Sequence, residues 1–331
     1  MQSSWSHERF TLADSPEPPL KIRGWVTEET ARRITNLAGK NLDELRKSAE
    51  ARNFQPVPLG AALTETINST IRNLGTANVL GLLRGSNPES RNEVVVYTAH
   101  FDHFGTGTPI NGDSIYNGAM DNASGTSLLL AIARGFAEGS TRPKRSVLFA
   151  AVAAEEQGLL GSEYYVAHPT SPLSKIVANI NIDGANLLGM ARDIQMIGKG
   201  RSSLDPIIEQ AAKEMGMVVV PDQSPEQGYF YRSDQFNFAK AGIPAAYFHH
   251  GIDIVGKPPG WGKEQRDKFI AEDYHQPSDE IKSWWDFRGA AQQAHFNFLL
   301  GYRVANAEKI PEWNRGDEFE AARKRSLEGG N

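Results

Sequence analysis

From about residue 75 onward, short runs of apolar residues alternate with segments whose apolar residues recur at helical spacing. The apolar runs predict strands at 78–83, 94–98, 146–153, 176–182, 194–197, 218–220 and 245–248. The segments with helical spacing are 124–137, 204–215 and 287–305. Strands that alternate with helices are typical of βαβ units. We therefore predict an α/β fold with a largely parallel sheet, whose core begins near residue 75.

The ends of the chain and one internal segment lack this alternation. Residues 1–25 are polar and dotted with prolines, which predicts a tail or a broken domain edge. Two surface helices are predicted after it, beginning at Thr27 and Asn41. We expect one domain over 26–310 and a polar C-terminal tail over 311–331. The irregular segment 251–268 is interpreted as the rim or lid of a site, with a plain surface loop as the alternative.

Charge and composition narrow the class of protein. The formal net charge is −5 without any long basic or acidic block, so neither nucleic acid nor an anionic membrane surface is the expected partner. The absence of cysteine excludes disulfides, a thiol nucleophile and zinc held by thiolates, so any metal must use histidine and carboxylate ligands. No apolar run approaches the roughly 20 residues that span a bilayer, and the first residues lack the features of a secretory signal. We expect a soluble chain that acts on a peptide or another small molecule.

Histidine and carboxylate side chains are concentrated in five short motifs. The first four follow apolar runs that we interpret as buried strands, so their side chains are expected to meet at the carboxyl edge of one sheet. The fifth lies in a loop. Together they predict a metal site with its own base, and hence a hydrolase. The motif residues are His100 in 97–102, Asp121 in 120–125, the pair Glu155 and Glu156, Asp183 in 181–184, and His275 in 273–279.

The first two motifs suggest how ligands are oriented. His100 ends a strand, and Asp102 is expected on the same side, where its carboxylate accepts the other ring N–H of His100. A capped core histidine is the alternative. Asp121 lies in a turn rich in glycine and asparagine, directly before a helix. It is either an ordinary carboxylate at a helix N-terminus or a bridging ligand, because a turn can direct both oxygens between two cations.

The pair Glu155 and Glu156 follows a continuous apolar run, where two unpaired glutamates would be costly to bury. Neighbouring side chains at a strand end diverge. One can therefore bind metal while the other faces the water between the ions. A solvated strand end is the alternative interpretation.

Taken in order, the motifs resemble those of the zinc-dependent exopeptidase family of bacterial leucyl-type aminopeptidases and glutamate carboxypeptidase. The resemblance spans roughly residues 75–305. It implies a three-layer αβα sandwich around a mixed, mostly parallel sheet, with a cis peptide bond after the aspartate of the second motif. The matching segments are Ala99–Asp102, Asp121–Gly125, Glu155–Ser162, Asn181–Asp183, Ser233–Phe238 with Gly242–Ala245, and Tyr274–Asp279.

The resemblance also implies a role for each motif residue. Glu155 would be the general base and acid, acting on a water that two Zn²⁺ ions activate. Tyr274 or Tyr231 would donate a hydrogen bond to the developing oxyanion. The implied ligands are His100 and Asp183 for one ion, Glu156 and His275 for the other, and Asp121 for both.

An aminopeptidase that releases an N-terminal residue is the activity implied first. A carboxypeptidase or dipeptidase is the near alternative, in which Arg232 pairs with a substrate carboxylate unless it forms a salt bridge with Asp234. A glutaminyl-cyclase-like acyltransferase with a single zinc and a non-catalytic binding module are the alternatives from other classes. Aromatic residues near the pocket favour an apolar or broad side-chain preference, unless they belong to the core. The pocket candidates are Tyr229, Tyr231, Arg232, Phe248 and His249.

In many relatives a protease-associated domain is inserted before the helices that begin here at Thr27 and Asn41, and an exported leader precedes it. Neither is recognisable in this sequence. Residues 1–25 are therefore interpreted as the stub of such an insert. The resemblance favours a periplasmic or extracellular location if the chain is part of a longer precursor.

Overall fold

The computed structural model describes residues 8–14, 24–68 and 70–328. The chain divides into two compact units, with the main boundary between Gly75 and Thr76. Most of the predicted N-terminal tail, at 1–7 and 15–23, lies outside the described residues, as do the last residues of the predicted C-terminal tail, 329–331. Within the described ranges, no helix is both long and apolar enough to cross a membrane.

The first unit contains two helices, α1 (Glu28–Leu37) and α2 (Leu42–Ala49). Thr27 and Asn41 cap them, each accepting a hydrogen bond from a backbone N–H of the first turn. Both helices begin where the sequence predicts, and only Thr35 is buried in them. Both helices bury little apolar surface of their own, and the single domain over 26–310 stays a prediction.

The second unit is built around a seven-stranded sheet in the order β1-β5-β2-β6-β9-β7-β8. β1 is antiparallel to β5, and β7 is antiparallel to β9. The other neighbouring pairs for which a register is defined are parallel, so the sheet is mixed and mostly parallel, as predicted. The strands are β1 (Val79–Leu83), β2 (Val94–His100), β5 (Ser146–Val152), β6 (Ile176–Asn181), β7 (Asp193–Ile197), β8 (Val218–Pro221) and β9 (Ala245–His250); β3 (Gly105–Ile110) and β4 (Asp113–Tyr116) form a separate hairpin.

Helices cover both faces of this sheet. On one face, Val95 and Tyr97 of β2 pack into a large cluster with residues of the helices at 125–138, 205–214 and 288–306. On the opposite face, Val94 and Val96 pack with residues of the helices at 160–167 and 235–240. Side chains of β2 thus alternate between two cores, which confirms the three-layer αβα architecture. The helices of this unit are α3 (Gly125–Glu138), α4 (Leu160–Ala167), α5 (Asp205–Glu214), α6 (Gln235–Lys240), α7 (Trp261–Glu272), α8 (Arg288–Asn306) and α9 (Glu320–Glu328).

The predicted strands and helices of this unit are all present, with ends shifted by one or two residues. Several elements of this unit were not predicted, namely the hairpin β3–β4 and helices α4, α6, α7 and α9. The hairpin β3–β4 is mostly exposed, so no apolar run marks it. Helix α7 begins inside the segment predicted to be irregular, and only Gly262 is buried in it, so its apolar residues do not recur on one face. The prediction that Asp121 follows a buried strand is wrong, because the element before it is this exposed hairpin.

The predicted polar tail over 311–331 is wrong for residues 311–328, which pack onto the second unit. Trp313 and Phe319 are buried and contact the cluster that contains Ile197 and Tyr247. The indole N–H of Trp313 also donates a hydrogen bond to a backbone carbonyl 2.8 Å away. Because these two aromatic anchors lie among polar residues, the average composition of the segment concealed them.

Helix α8 passes so close to β2 that a side chain on Gly301 would meet the buried phenol of Tyr97. A Cβ atom at Gly301 would lie 1.6 Å from the Tyr97 hydroxyl, which donates a hydrogen bond to the carbonyl of Asn297 (2.6 Å). We expect Gly301→Ala to lower the free energy of unfolding by about 1–3 kcal/mol through overpacking. Chemical denaturation measures this change. Gly81→Ala is the matched control, since nothing lies within 4 Å of a Cβ atom there; equal stability of both variants would contradict the packing described.

Candidate metal centre

Three of the five motifs lie at the same edge of the sheet. β5, β2 and β6 are parallel neighbours, so their carboxyl ends meet. His100 is the last residue of β2, while the pair Glu155–Glu156 follows β5 and Asp183 follows β6. Parallel pairing therefore brings together side chains that are far apart in the sequence.

Asp121 comes from the turn 119–124 before α3, and its backbone is held by a second aspartate. The carboxylate of Asp279 accepts hydrogen bonds from the N–H groups of Met120 (2.9 Å) and Asp121 (3.0 Å). The peptide bond between Asp121 and Asn122 is cis, as the resemblance implies. The Asn122 side chain donates to the carbonyl of Ile182 (3.0 Å), which ties the turn to the end of β6.

The five residues predicted as ligands lie within contact distance of one another. His100 Nε2 is 3.3 Å from Asp121 Oδ1 and 3.2 Å from Asp183 Oδ1. His275 Nε2 is 3.2 Å from Asp121 Oδ2 and 3.4 Å from Glu156 Oε2. The two oxygens of Asp121 thus face different imidazoles. Donor atoms bound at 2.0–2.1 Å to one tetrahedral ion lie roughly 3.3 Å apart, so these separations suit two cations that share Asp121.

Glu155 lies beside His100 and Asp183. Its carboxylate, His100 and Asp183 offer ligand atoms within 4.8 Å of one another. A second group, formed by His103, Asp121 and Glu156, meets the same criterion. The adjacent glutamates therefore diverge towards different halves of the site, as the sequence predicts.

The electrostatics of the site indicate an excess of negative charge. Burial first, and the nearby Asp121 second, raise the pKa of Glu156 to about 9. Burial also raises the pKa of Glu155 well above its usual value. Although burial alone would lower the pKa of His100, the surrounding carboxylates raise it well above the usual range. A bound cation would favour the ionised forms of Glu155 and Glu156, and this fits a donor set of imidazole and carboxylate.

Asp102 does not act on His100 as predicted. The ring Nδ1 of His100 contacts the backbone carbonyl of Asp102 (3.1 Å), whereas the nearer carboxylate oxygen is 3.8 Å away. This carboxylate instead accepts the backbone N–H groups of Glu155 (3.1 Å) and Glu156 (3.3 Å). β2 ends at His100, so Asp102 lies in the loop that follows, and its side chain is directed to the segment after β5. Asp102 therefore fixes the glutamate pair, while its carbonyl sets the tautomer of His100.

Asp183 is oriented by a buried polar network. The hydroxyl of Ser233 donates to Asp183 Oδ2 (2.6 Å) and accepts a hydrogen bond from the Asn181 side chain (2.8 Å). Thr98 in turn donates to the carbonyl oxygen of the Asn181 side chain (2.6 Å). This network leaves Asp183 Oδ1 directed at His100. Ser233, which orients Asp183, belongs to the motif Ser233–Phe238, to which the sequence assigned no role.

The two tyrosines predicted as oxyanion donors differ in their surroundings. Tyr274 stacks on His275, with ring centroids 3.7 Å apart, and burial together with the neighbouring carboxylates raises its pKa. Tyr231 is exposed, and its hydroxyl donates to Glu318 (2.6 Å), so it is already engaged away from the ligands. Tyr247 was not predicted, but it is buried and its pKa is raised by burial and by Asp183.

The pocket candidates separate into core and site residues. Phe248 is buried against Phe296, so its assignment to the pocket is wrong. Tyr229 contacts the ring of His249 (4.6 Å between centroids), and the Arg232 guanidinium lies over Tyr229 at 5.5 Å. Burial lowers the pKa of His249 to about 4. These three residues form one cluster with a cationic side chain at its border.

Arg232 makes no salt bridge with Asp234 among the described residues. Asp234 is fully buried, accepts a hydrogen bond from Ser162 (2.5 Å) and has its pKa raised to about 7 by burial. A cavity lined by residues of α7 adjoins the turn that holds Asp121. Its volume is about 630 Å³, and its walls include Met120, Trp261 and Phe269.

The two hydrogen bonds to Asp102 yield a test of its role. Asn at this position keeps the size but has one acceptor oxygen, so one backbone N–H of the glutamate pair loses its partner. We expect Asp102→Asn to lower the free energy of unfolding by about 1–3 kcal/mol in the presence of a chelator. Chemical denaturation measures the change, with the exposed Glu89→Gln as control. Unchanged stability of Asp102→Asn would rule out this role.

Comparisons with known proteins identify the family and the fold of this chain. The model of a family described as peptidase family M28 matches residues 78–298. A mouse protein named aminopeptidase NAALADL1 is 27% identical over 60% of this chain and 26% of its own length. Aminopeptidase YwaD of Bacillus subtilis is 28% identical over 67% of this chain and 45% of its own length. The chain therefore spans less than half the length of these relatives.

A solved structure of a zinc aminopeptidase from Bacillus subtilis has the same fold. It superposes with a TM-score of 0.52 at 25% identity, over 73% of this chain and 53% of that chain. The family match covers the whole sheet and every predicted ligand, which confirms the resemblance drawn from the motifs. The chain belongs to peptidase family M28.

Proposed function

We propose that this chain is a zinc-dependent exopeptidase, and that it acts as an aminopeptidase on the N-terminal peptide bond of its substrates. The observation that carries the proposal is the position of Asp121, whose two oxygens face His100 and His275 separately. Such a carboxylate suits a pair of ions. The names of the similar proteins, two aminopeptidases and a zinc aminopeptidase, support zinc and this reaction.

The proposed ligands fit zinc by their chemistry. Imidazole nitrogen and carboxylate oxygen are ligands that zinc takes in catalytic sites. We assign two Zn²⁺ to each chain, with Asp121 shared between them. The ligands of one ion would be His100, Asp183 and Asp121, and those of the other Glu156, His275 and Asp121.

Glu155 is the proposed general base and acid. When bound, zinc supplies Lewis acidity that polarises the scissile carbonyl and makes water a better nucleophile near neutral pH. The Glu155 carboxylate takes a proton from the attacking water and gives it to the leaving amine. Its partly buried position and its raised pKa suit a group that holds a proton between these two events. Tyr274 is the proposed donor to the oxyanion, because the hydroxyl of Tyr231 is engaged with Glu318.

The alternatives find less support in the residues present. A single-zinc acyltransferase does not need the shared position of Asp121 between two imidazoles. A binding module without catalysis does not need a buried carboxylate at Glu155. The cluster of Tyr229, Arg232 and His249 is the proposed border of the substrate pocket, where Arg232 would meet a carboxylate if the enzyme were a carboxypeptidase.

The direction of attack and the metal requirement can be tested together. We expect leucine p-nitroanilide to be hydrolysed and its N-acetyl derivative to be left intact, because an aminopeptidase requires a free amine. Treatment with 1,10-phenanthroline should abolish turnover, and added Zn²⁺ should restore it. Cleavage of C-terminal residues from N-acetylated peptides would support the carboxypeptidase instead. Turnover that survives complete removal of metal would contradict the proposal.

The role of Glu155 predicts a separation of metal binding from turnover. Glu155→Gln should retain the zinc content of the wild type, because the residue is not assigned as a ligand, while kcat falls by about a hundredfold or more. Elemental analysis and steady-state kinetics measure the two quantities, with the exposed Glu89→Gln as control. Near-normal kcat in Glu155→Gln would remove the residue from the mechanism.

A further inference from the structure

His103 contacts Glu156, yet it is neither one of the predicted metal ligands nor part of the proposed mechanism. It lies in the loop between β2 and β3, and its side chain is buried. The ring Nδ1 is 2.7 Å from Glu156 Oε1, while Glu156 Oε2 is 3.4 Å from His275 Nε2. The two oxygens of Glu156 therefore have different partners.

The ring of His103 is held in place from several sides. It packs edge-on against Phe104 (4.9 Å between centroids) and His275 (5.9 Å). Gly118 adopts a left-handed conformation beside it, and a Cβ atom there would lie 2.5 Å from His103 Cγ. The other nitrogen, Nε2, is buried without a hydrogen-bond partner among the described residues. Packing thus leaves Nδ1 as the nitrogen that His103 uses.

The distance between His103 Nδ1 and Glu156 Oε1 shows whether the two atoms bind one ion together or form a hydrogen bond with each other. Two ligands of one tetrahedral zinc lie roughly 3.3 Å apart, as Glu156 Oε2 and His275 Nε2 do. A separation of 2.7 Å is that of a strong N–H···O hydrogen bond to a carboxylate. In the proposed zinc-bound site Glu156 is ionised and only accepts hydrogen bonds, so Nδ1 of His103 carries the proton and donates it to Oε1.

We propose that His103 is a positioning residue that holds Glu156 Oε1, so that Glu156 offers only Oε2 to the ion it shares with His275. The inference rests on the proposed two-zinc site and adds an asymmetry to it. His103 strengthens binding of the ion at Glu156 and His275, and it leaves the ion at His100 and Asp183 unaffected. Partners that orient a ligand in this way are typically worth about 10- to 100-fold in metal affinity.

Stepwise zinc affinities of the whole chain, measured by competition with a chelator, test the inference. In His103→Ala the affinity for one of two ions should fall by about 10- to 100-fold, while the affinity for the other stays within a factor of two or so. His103→Asn should restore the lost affinity, because the Asn amide N–H₂ occupies the place of Nδ1. His103→Gln should not restore the lost zinc affinity, because the Gln amide reaches the place of Nε2 and not that of Nδ1. The exposed His295→Ala is the control.

The outcomes separate this inference from the proposed function. A wild-type chain that does not bind two zinc ions contradicts the two-zinc site itself. Two ions bound by the wild type, with unchanged affinities in His103→Ala, overturn the role of His103 alone. If His103→Ala does not fold, His103→Asn decides: wild-type affinities and an unchanged visible spectrum with Co²⁺ support a hydrogen-bonding role. Loss of one ion in a folded His103→Asn overturns it, because a donor at Nδ1 would then be insufficient.

Discussion

Several carboxylates converge on one buried place at the carboxyl edge of the sheet, and their mutual repulsion is the constraint that the surrounding structure must satisfy. Like charges a few ångströms apart in a poorly solvated site cannot all stay ionised without compensating positive charge. The imidazoles of His100 and His275 lie among them, yet the pKa values of Glu155 and Glu156 remain raised. Burial is the first cause of both shifts and the other carboxylates add to it, so a bound cation would stabilise the ionised forms. The carboxylates are Asp121, Glu155, Glu156 and Asp183.

Two further carboxylates keep this arrangement in place without adding to the ligands. Asp102 accepts the backbone N–H groups of the glutamate pair, and Asp279 accepts those of Met120 and Asp121. Each one therefore fixes a whole motif through its backbone and leaves the ligand side chains free. The strands supply the remaining order, because the parallel pairing of β5, β2 and β6 determines which residues meet. Rigid strands, together with carboxylates that accept backbone N–H groups, thus position the site.

The sequence predicted those features that depend on periodicity and on strand ends. His100, Glu155 and Asp183 directly follow or end buried strands, so their meeting could be inferred from a parallel sheet. The direction of the Asp102 side chain could not be inferred, because β2 ends two residues earlier and the contact with the segment after β5 depends on the fold. Helix α7 and the buried residues Trp313 and Phe319 were not predicted for a related reason, since tertiary packing determines their burial. His103 carried a signal, its place one residue after Asp102, but its contact with Glu156 required the fold.

The claim on which the account depends is that two ions lie side by side with Asp121 between them. An anomalous difference map, recorded at the zinc absorption edge from crystals grown with Zn²⁺, tests it most directly. The account predicts two peaks per chain, one beside His100 and Asp183 and the other beside Glu156 and His275, with an oxygen of Asp121 directed at each. A single peak, or peaks away from these residues, would contradict it.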